Sequence, residues 1–190
     1  MVLLGDGFFE RSAHVVAPEL VGATLLVAGV GGTIVEVEAY DRTDPASHSF
    51  RGPSPRNAAM FGSRGRAYVY RSYGIHWCLN LVCGDEEGAG EAVLVRALEP
   101  TTGVEAMVAR RGLANPRLLC AGPGRLTQAL GVSGVHDGLS LDLPPFELRQ
   151  RPAVLSVVAV PRIGISRAVE RPWRHGLDGS RYLSRPLRPG

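Results

Sequence analysis

Residues 24–40, "TLLVAGVGGTIVEVEAY", contain two runs of β-branched and aliphatic residues that predict a pair of strands. Glycine pairs favour tight turns, so Gly31-Gly32 is the predicted link between the two strands. In the second run small apolar residues alternate with larger polar ones, with Val35, Val37 and Ala39 set against Glu36, Glu38 and Tyr40. Because side chains alternate across a strand, both glutamates and the tyrosine should share the face opposite the apolar residues.

The rest of the chain alternates between further strands and helices. Strands are predicted for "RAYVY" and "IHWCLNLVC", which flank a turn at 71–74, and for "EAVLVRALEP" and "PAVLSVVAVPRIGI". Helices are predicted for "RSAHVVAPEL", "TGVEAMVARRG" and "RLLCAGPGRLTQALGV". A polar connection spans 41–66 with a short helical piece near 56–61, and loops of that length are usually functional or disordered. The pattern predicts one α+β domain over 1–190 with a mostly antiparallel sheet.

Arginine supplies all of the positive charge of the side chains at neutral pH. The 21 basic residues are all arginine, and the net charge is +3. Five of them lie in residues 51–84, where there is no acidic residue: Arg51, Arg56, Arg64, Arg66 and Arg71. Arginine binds phosphate bidentately and stacks on flat groups, so a basic stretch interleaved with tyrosines indicates a nucleic-acid surface. A solvated basic face is the alternative interpretation.

Three tyrosines, a histidine and a tryptophan are concentrated in one short stretch of a chain that is only 6% aromatic. Residues 66–82, "RAYVYRSYGIHWCLNLV", hold Tyr68, Tyr70, Tyr73, His76 and Trp77. Tyr73 stands beside Gly74 in a predicted turn, where a core aromatic would be out of place. Asn80 lies within an apolar strand, so its amide requires a hydrogen-bond partner.

The cysteines and the start of the chain indicate an intracellular protein. Cys78, Cys83 and Cys120 have no zinc-like spacing, so reduced thiols are the simplest interpretation. The first residues lack a basic region and a cleavage site, and Asp6 and Glu10 interrupt their apolar character. No apolar run reaches the length that spans a bilayer. We therefore expect a cytoplasmic protein without membrane contact.

Seven blocks of sequence occur in order along the chain: "TIVEVEAY", "ASHS", "PRNAAMFG", "AYVYRSYGIHWCLNLV", "VLVRALEP", "LCAGPGRLTQALG" and "PRIGI". Together they resemble the alkyladenine (3-methyladenine) DNA glycosylase family of mammals and many bacteria. The similarity runs from Phe8 to Ser184, which is nearly the whole chain. It implies a curved, mostly antiparallel sheet with peripheral helices and a protruding β-hairpin that enters the DNA minor groove. It also implies a bacterial, nucleoid-associated monomer that acts on double-stranded DNA containing damaged purines.

The resemblance assigns roles to residues of the predicted hairpin and of a base pocket. Enzymes that act on a base within a duplex flip it out, fill the gap with a wedge and hold the base between flat side chains. By resemblance Tyr73 is the intercalating residue, and Ile75 lies where the family often has methionine as a second wedge. Ordinary hairpin packing is the alternative, chiefly for Ile75. The implied base-binding residues are Tyr40, His48, Tyr70 and Asn80, of which Asn80 would reject guanine.

The chemistry requires a carboxylate. Cleavage of a glycosidic bond passes through a positively charged sugar, which a carboxylate stabilises while it activates water. Glu36 and Glu38 lie two residues apart on one predicted strand face, so spacing cannot choose between them. The resemblance selects Glu38, with Arg96 and the carbonyl of Ile163 holding the water. A structural Arg-Glu pair is the alternative role for Arg96. The resemblance implies neither a metal nor another cofactor.

The amine inventory bears on the type of glycosylase. Bifunctional glycosylases cut DNA through a Schiff base, which needs an amine nucleophile. The sequence holds no lysine, and its N-terminal amine is far in sequence from Glu38, so we expect a monofunctional enzyme that leaves an intact abasic site. Two other functions remain open. A nucleic-acid-binding module without catalysis would not need Glu38 beside Tyr40, and a hydrolase of free nucleosides would not need a basic face.

Overall fold

Eight antiparallel strands form one curled sheet in the computed structural model, which describes residues 3–5 and 7–188. The strands are β1 (Thr24–Val27), β2 (Val30–Tyr40), β3 (Ala67–Ser72), β4 (His76–Cys83), β5 (Glu91–Thr102), β6 (Phe146–Arg149), β7 (Val157–Val160) and β8 (Arg174–Leu177). Their order is β3-β4-β5-β2-β1-β6. Strand β8 pairs with the second half of β2, and β7 pairs with the other edge of β8. The α+β class and the curved antiparallel sheet are therefore confirmed. The N-terminal amine and Asp6 lie outside the described residues.

The turn between β1 and β2 lies earlier than predicted. Ala28 and Gly29 make it with positive φ angles of 49° and 75°, whereas Gly31 and Gly32 lie inside β2. A Cβ atom on Gly31 would be 1.9 Å from the carbonyl oxygen of Leu25, and one on Gly32 would be 1.9 Å from that of Glu99. The two glycines therefore permit close approach of the neighbouring strands, which is the second common reason for glycine in a strand.

Alternate residues of the central strands face opposite sides of the sheet. On β2, Val37 and Ala39 lie in the main hydrophobic core, whereas Glu38 and Tyr40 line a cleft on the other side. The core-facing residues of β3, β4 and β5 include Ala67, Val69, Leu79, Leu81, Val93 and Val95, and the cleft-facing ones include Tyr68, Tyr70, Cys78, Asn80, Leu94 and Arg96. The period-two pattern of residues 35–40 thus predicted the correct face for Glu38 and Tyr40.

Helices cover the apolar side of the sheet. They are α1 (Ala13–Leu20), α2 (Val104–Arg111), α3 (Pro116–Leu119) and α4 (Pro123–Leu130), and a 3₁₀ helix spans Ala58–Phe61 within the predicted polar connection. The buried face of α1 consists of Ala13, Val16, Ala17 and Leu20, which is the spacing of one helical stripe. The single helical prediction over "RLLCAGPGRLTQALGV" is wrong, because the chain breaks at Cys120–Gly122 and Pro123 begins a new helix.

The last predicted strand is shorter than its sequence pattern. Only Val157–Val160 of "PAVLSVVAVPRIGI" pairs as β7, and residues 161–173 are irregular. Pro161 cannot donate to a strand ladder, which accounts for the end of β7. Within the described part of the chain, no helix has the length and apolarity needed to cross a membrane. The cysteines Cys78, Cys83 and Cys120 are buried and free.

Candidate active site

A cleft of about 650 Å³ opens on the side of the sheet opposite the main core. Strands β2 to β5 contribute to it, together with the segments 45–48 and 163–167. Nine of the residues selected from the sequence line this cleft: Glu38, Tyr40, His48, Arg56, Tyr70, Tyr73, Asn80, Arg96 and Ile163. The other four, Ile75, Arg64, Arg66 and Arg71, are not among its lining residues.

Glu38 is a buried carboxylate held by three donors. Its Oε2 accepts hydrogen bonds from the Tyr40 hydroxyl at 2.9 Å and from Arg96 Nη1 at 3.2 Å. Its Oε1 accepts a bond from the backbone N–H of Ile163 at 2.8 Å. An ionised carboxylate has about four acceptor positions, so one position remains for a further donor such as water. The predicted role of the Ile163 carbonyl stays a prediction; the contact described here is made by its N–H.

Glu36 has a different environment two residues earlier on the same strand. Its oxygens accept bonds from Arg96 Nε and Arg174 Nη1, both at 3.1 Å, and from the hydroxyl and backbone N–H of Ser184 at 2.8 and 2.6 Å. Three of these donors bond Oε1 and one bonds Oε2, so Glu36 has one donor more than Glu38. Glu36 is also not among the residues that line the cleft. The structure therefore separates two glutamates that spacing could not.

Arg96 connects the two glutamates at an irregularity of the sheet. The register between β2 and β5 passes from Val37↔Val95 to Glu36↔Ala97, so Arg96 is an extra residue on β5. Burial disfavours the charge of its guanidinium, but the carboxylates of Glu38 and Glu36 outweigh this effect and raise its pKa. Arg96 therefore remains a cation beside Glu38.

Aromatic rings line one part of the cleft. The ring centroids of His48 and Tyr70 lie 4.4 Å apart, and those of Tyr68 and Tyr70 lie 5.4 Å apart in a stacked arrangement. Burial lowers the pKa of His48, and the nearby Arg56 lowers it further, so His48 is a neutral ring at physiological pH. Burial and the neighbouring Glu38 raise the pKa of the Tyr40 phenol well above its usual value, so Tyr40 remains a hydrogen-bond donor.

Asn80 satisfies part of its hydrogen-bonding capacity within the sheet. Its Nδ2 donates to the backbone carbonyl of Tyr68 at 3.0 Å, and its side chain lines the cleft. The expectation of a partner for this buried amide is confirmed. Because one amide hydrogen is committed to Tyr68, the orientation of the side-chain carbonyl is restricted.

The connection between β3 and β4 carries an exposed aromatic residue in an unusual backbone conformation. Tyr73 and Gly74 have φ angles of 49° and 69°, and the N–H of Ile75 donates to the carbonyl of Ser72 at 2.9 Å. Positive φ is uncommon for a bulky residue and costs about 1–3 kcal/mol. Tyr73 is 86% exposed and Ile75 is 76% exposed. The core gains nothing from either side chain, and their insertion into DNA stays a prediction.

The arginines of residues 56–71 differ in their surroundings. Arg56 is exposed and lines the cleft, and Arg71 is exposed with its guanidinium 5.8 Å from the Trp77 ring. Arg66 is exposed and donates to the carbonyl of Gly138. Arg64 is held instead by Glu10 and Glu87 at 3.5 and 3.4 Å. DNA contact by these four stays a prediction, and for Arg64 the ion pairs supply a structural role as well.

Sequence reasoning missed a second layer of residues behind the cleft. Arg162 and Asp44 form a bidentate ion pair whose two side chains are fully buried, and Ser184 and Arg174 hold Glu36. Arg162 immediately precedes Ile163 in the quoted block "PRIGI", which was the one available signal. Among residues 3–5 and 7–188, no group of three His, Cys, Asp or Glu side chains is arranged to hold a metal ion.

Comparison with known proteins identifies the family. The profile described as "Methylpurine-DNA glycosylase (MPG)" matches residues 7–181 of the chain. The chain belongs to the methylpurine-DNA glycosylase family. This membership confirms the resemblance found in the seven sequence blocks. It also indicates that this methylpurine-DNA glycosylase acts on DNA.

Bacterial relatives support the assignment to the methylpurine-DNA glycosylase family. A protein of Rhodopseudomonas palustris (strain BisB18) is 64% identical over 97% of this chain and 92% of its own length. Relatives from Nitrobacter winogradskyi and Nitrosospira multiformis are 62% and 58% identical, over 97% and 95% of this chain and 88% and 93% of their own lengths. All three carry the name "Putative 3-methyladenine DNA glycosylase".

Proposed function

We propose that this protein is a monofunctional DNA repair glycosylase that hydrolyses the bond between a damaged purine and its deoxyribose and leaves an abasic site. Family membership supports the DNA glycosylase activity. The names of the relatives point to 3-methyladenine, and we extend the proposed substrates to other alkylated or deaminated purines.

One observation carries the assignment of the catalytic group. Glu38 lines the cleft, whereas Glu36 does not and is held by four donors behind it. We assign Glu38 as the group that accepts a proton from water. The water oxygen attacks C1′ of the deoxyribose, the N-glycosidic bond breaks, and its electron pair leaves with the purine. An alkylated purine that carries positive charge leaves as a neutral base.

The positive charge that develops on the sugar is stabilised by the same carboxylate. Arg96 and the N–H of Ile163 fix the orientation of Glu38 before the reaction, which removes the cost of orienting it at the transition state. The flipped base would stack against Tyr40, His48 and Tyr70. A neutral His48 adds no charge repulsion against a cationic base.

An assay on defined duplexes tests the proposed activity. Duplexes with a single hypoxanthine, ethenoadenine or 3-methyladenine are incubated with the protein and then heated in alkali, which breaks DNA at abasic sites. We expect strand breaks only at the lesion, and no breaks in an undamaged duplex of the same sequence. Binding to the lesion duplex without any breaks would instead support a nucleic-acid-binding module without catalysis.

The monofunctional mechanism predicts no covalent intermediate with DNA. The sequence contains no lysine, and an arginine guanidinium stays protonated and is a poor nucleophile. We therefore expect no protein–DNA adduct when the reaction is run with borohydride, and no strand cleavage without alkali. A borohydride-trapped adduct formed at the rate of base release would overturn the hydrolytic mechanism.

A further inference from the structure

A buried ion pair joins two loops on the side of the catalytic residues away from the cleft. Arg162 binds Asp44 through both guanidinium Nη atoms, and the side chains of both residues are 0% exposed. Neither residue lines the cleft. Asp44 lies in the loop that carries His48, and Arg162 lies in the irregular segment that carries Ile163.

Arg162 also contacts the strand that holds the catalytic carboxylate. Its Nη1 donates to the backbone carbonyl of Ala39 at 3.1 Å, and Ala39 is the residue between Glu38 and Tyr40. Its guanidinium carbon lies 4.6 Å from the centre of the Tyr40 ring. The N–H of the next residue, Ile163, is the one that binds Glu38 Oε1.

The guanidinium of Arg162 is buried, so its positive charge must be stabilised by neighbouring groups. Burial opposes the positive charge of Arg162, yet the hydrogen bond to Asp44 and the nearby Tyr40 raise its pKa above the usual value. A planar guanidinium can bind a carboxylate with two N–H groups, donate a further bond and lie against a ring at the same time. A lysine ammonium keeps the charge but not this combination of contacts.

We propose that the Arg162–Asp44 pair is a positioning element of base release. It sets the Ile163 N–H against Glu38, supports the Tyr40 ring from behind, and fixes the loop of His48 relative to both. This inference rests on the proposed glycosylase function. The pair acts on the rate of the chemical step through Glu38 and Tyr40, because it cannot touch the flipped base itself.

The variants Arg162→Lys and Asp44→Asn test the proposal in the full-length protein. Single-turnover base release is measured on a hypoxanthine duplex, and affinity is measured on the same duplex with a 2′-fluoro sugar, which resists formation of the positively charged sugar. We expect each variant to release base at least tenfold more slowly, with affinity changed less than threefold. The double variant should be no slower than the slower single variant, since both changes disrupt one pair.

Arg171→Lys is the matched control. The guanidinium carbons of Arg162 and Arg171 lie 5.0 and 4.5 Å from the centre of the Trp173 ring. Arg171 approaches Asp44 at 4.0 Å, but its side chain is partly exposed, and the contacts to Tyr40 and Ala39 are made by Arg162. We expect its base release to stay within twofold of the wild type.

Three results would overturn the positioning role. The first is a wild-type rate in both variants, and the second is a pair of rate losses that multiply in the double variant. The third is loss of folding in both variants at the assay temperature, which would assign the pair to folding alone. If Arg162→Lys alone unfolds, Asp44→Asn decides by the same rate criterion. A wild-type protein without base release would instead refute the proposed function.

Discussion

Two glutamates of one strand illustrate how much the chemistry of a residue depends on its hydrogen-bond partners. Glu36 and Glu38 are both fully buried and share Arg96 as a partner. The difference lies in the other surroundings, since Ser184 and Arg174 hold Glu36 behind the cleft, whereas Glu38 lines the cleft. Only a carboxylate at the cleft is within reach of the water and the sugar on which it would act.

Glu38→Gln should abolish base release while it preserves lesion binding. The amide keeps the shape of the side chain but cannot accept a proton from water, and general-base catalysis contributes roughly 10²- to 10⁴-fold. We expect a loss of that size in single-turnover rate, with affinity for a lesion duplex within about threefold of the wild type.

Glu36→Gln provides the comparison within the same strand. It replaces an acceptor oxygen by an NH₂ group that faces arginine donors, so we expect a lower thermal midpoint for this variant. Near wild-type turnover in Glu38→Gln together with complete loss of turnover in a folded Glu36→Gln protein would show that the catalytic carboxylate had been assigned to the wrong residue.

At the scale of elements, the β3–β4 connection keeps an aromatic side chain in water at a cost in backbone energy. A non-glycine residue at positive φ persists only where the surrounding structure holds it. The predicted wedge role of Tyr73 gives a reason for that cost, because a ring at the tip of a turn can enter a stack of bases.

Tyr73→Ala should weaken lesion binding without unfolding the protein. Alanine meets the same backbone constraint as tyrosine at this φ, and the ring is exposed, so we expect the thermal midpoint to stay within about 2 °C. Loss of stacking is worth roughly 1–3 kcal/mol, which corresponds to about a five- to 150-fold loss of affinity. Val154→Ala removes another exposed apolar side chain, 90% exposed and outside the cleft, and should leave affinity unchanged. A largely unfolded Tyr73→Ala protein would make Tyr73 a packing residue.

Strand β8 contributes a pH dependence of stability through His175. Burial and, to a smaller extent, the nearby His14 together lower its pKa from 6.5 to about 4. The unfolded chain therefore binds more protons than the folded protein between pH 4 and 6.5, so the stability from a neutral His175 is present above pH 6.5 and is lost as the pH falls toward 4.

His175→Gln should reduce this pH dependence, because glutamine does not titrate. Urea unfolding of both proteins from pH 7.5 to 4.5 measures the difference, and we expect the free energy of unfolding of the wild type to decrease more steeply. Identical slopes in the two proteins would show that His175 does not contribute.

The distribution of arginine is a property of the whole molecule. DNA binding releases counterions from the phosphates, so affinity falls linearly with salt on logarithmic axes, with a slope of about −0.9 for each phosphate contact. We expect Arg56→Gln to reduce the slope for an undamaged duplex by about one. Arg117→Gln removes the same charge from an exposed site on α3 that does not line the cleft, and its slope should match that of the wild type. An unchanged slope in Arg56→Gln would exclude a phosphate contact.

Local patterns predicted β1 to β5, part of β7, the helices α1 and α2 and the cleft-facing side of β2, but not β6 or β8. Alternation placed Glu38 and Tyr40 together because period two is a property of neighbouring residues. The same local reasoning misplaced the β1–β2 turn. Residues 31 and 32 are glycines because the carbonyl oxygens of Leu25 and Glu99 leave no room for a Cβ atom there. Glu99 is distant in sequence, so its approach cannot be predicted from the residues near 31–32.

The partners that distinguish the candidate site residues could not be predicted from spacing. Arg162 and Asp44 are 118 residues apart, and Ser184 is 148 residues from Glu36. Nothing in the local pattern of residue 44 or 184 indicates such a partner. The resemblance to a family supplied Glu38, and the full set of donors around each glutamate emerged only from the folded chain.

The bonds from Ser184 to Glu36 also set an order of events during protein synthesis. Glu36 is translated 148 residues before its partner, which at 5–20 residues per second is roughly 7 to 30 seconds. Until Ser184 is synthesised, its hydroxyl cannot accept the hydrogen bond from Arg96 Nη2. The hydrogen-bond network around the cleft therefore cannot be complete before Ser184 has been synthesised, and a chain that stops short of residue 184 lacks the finished geometry.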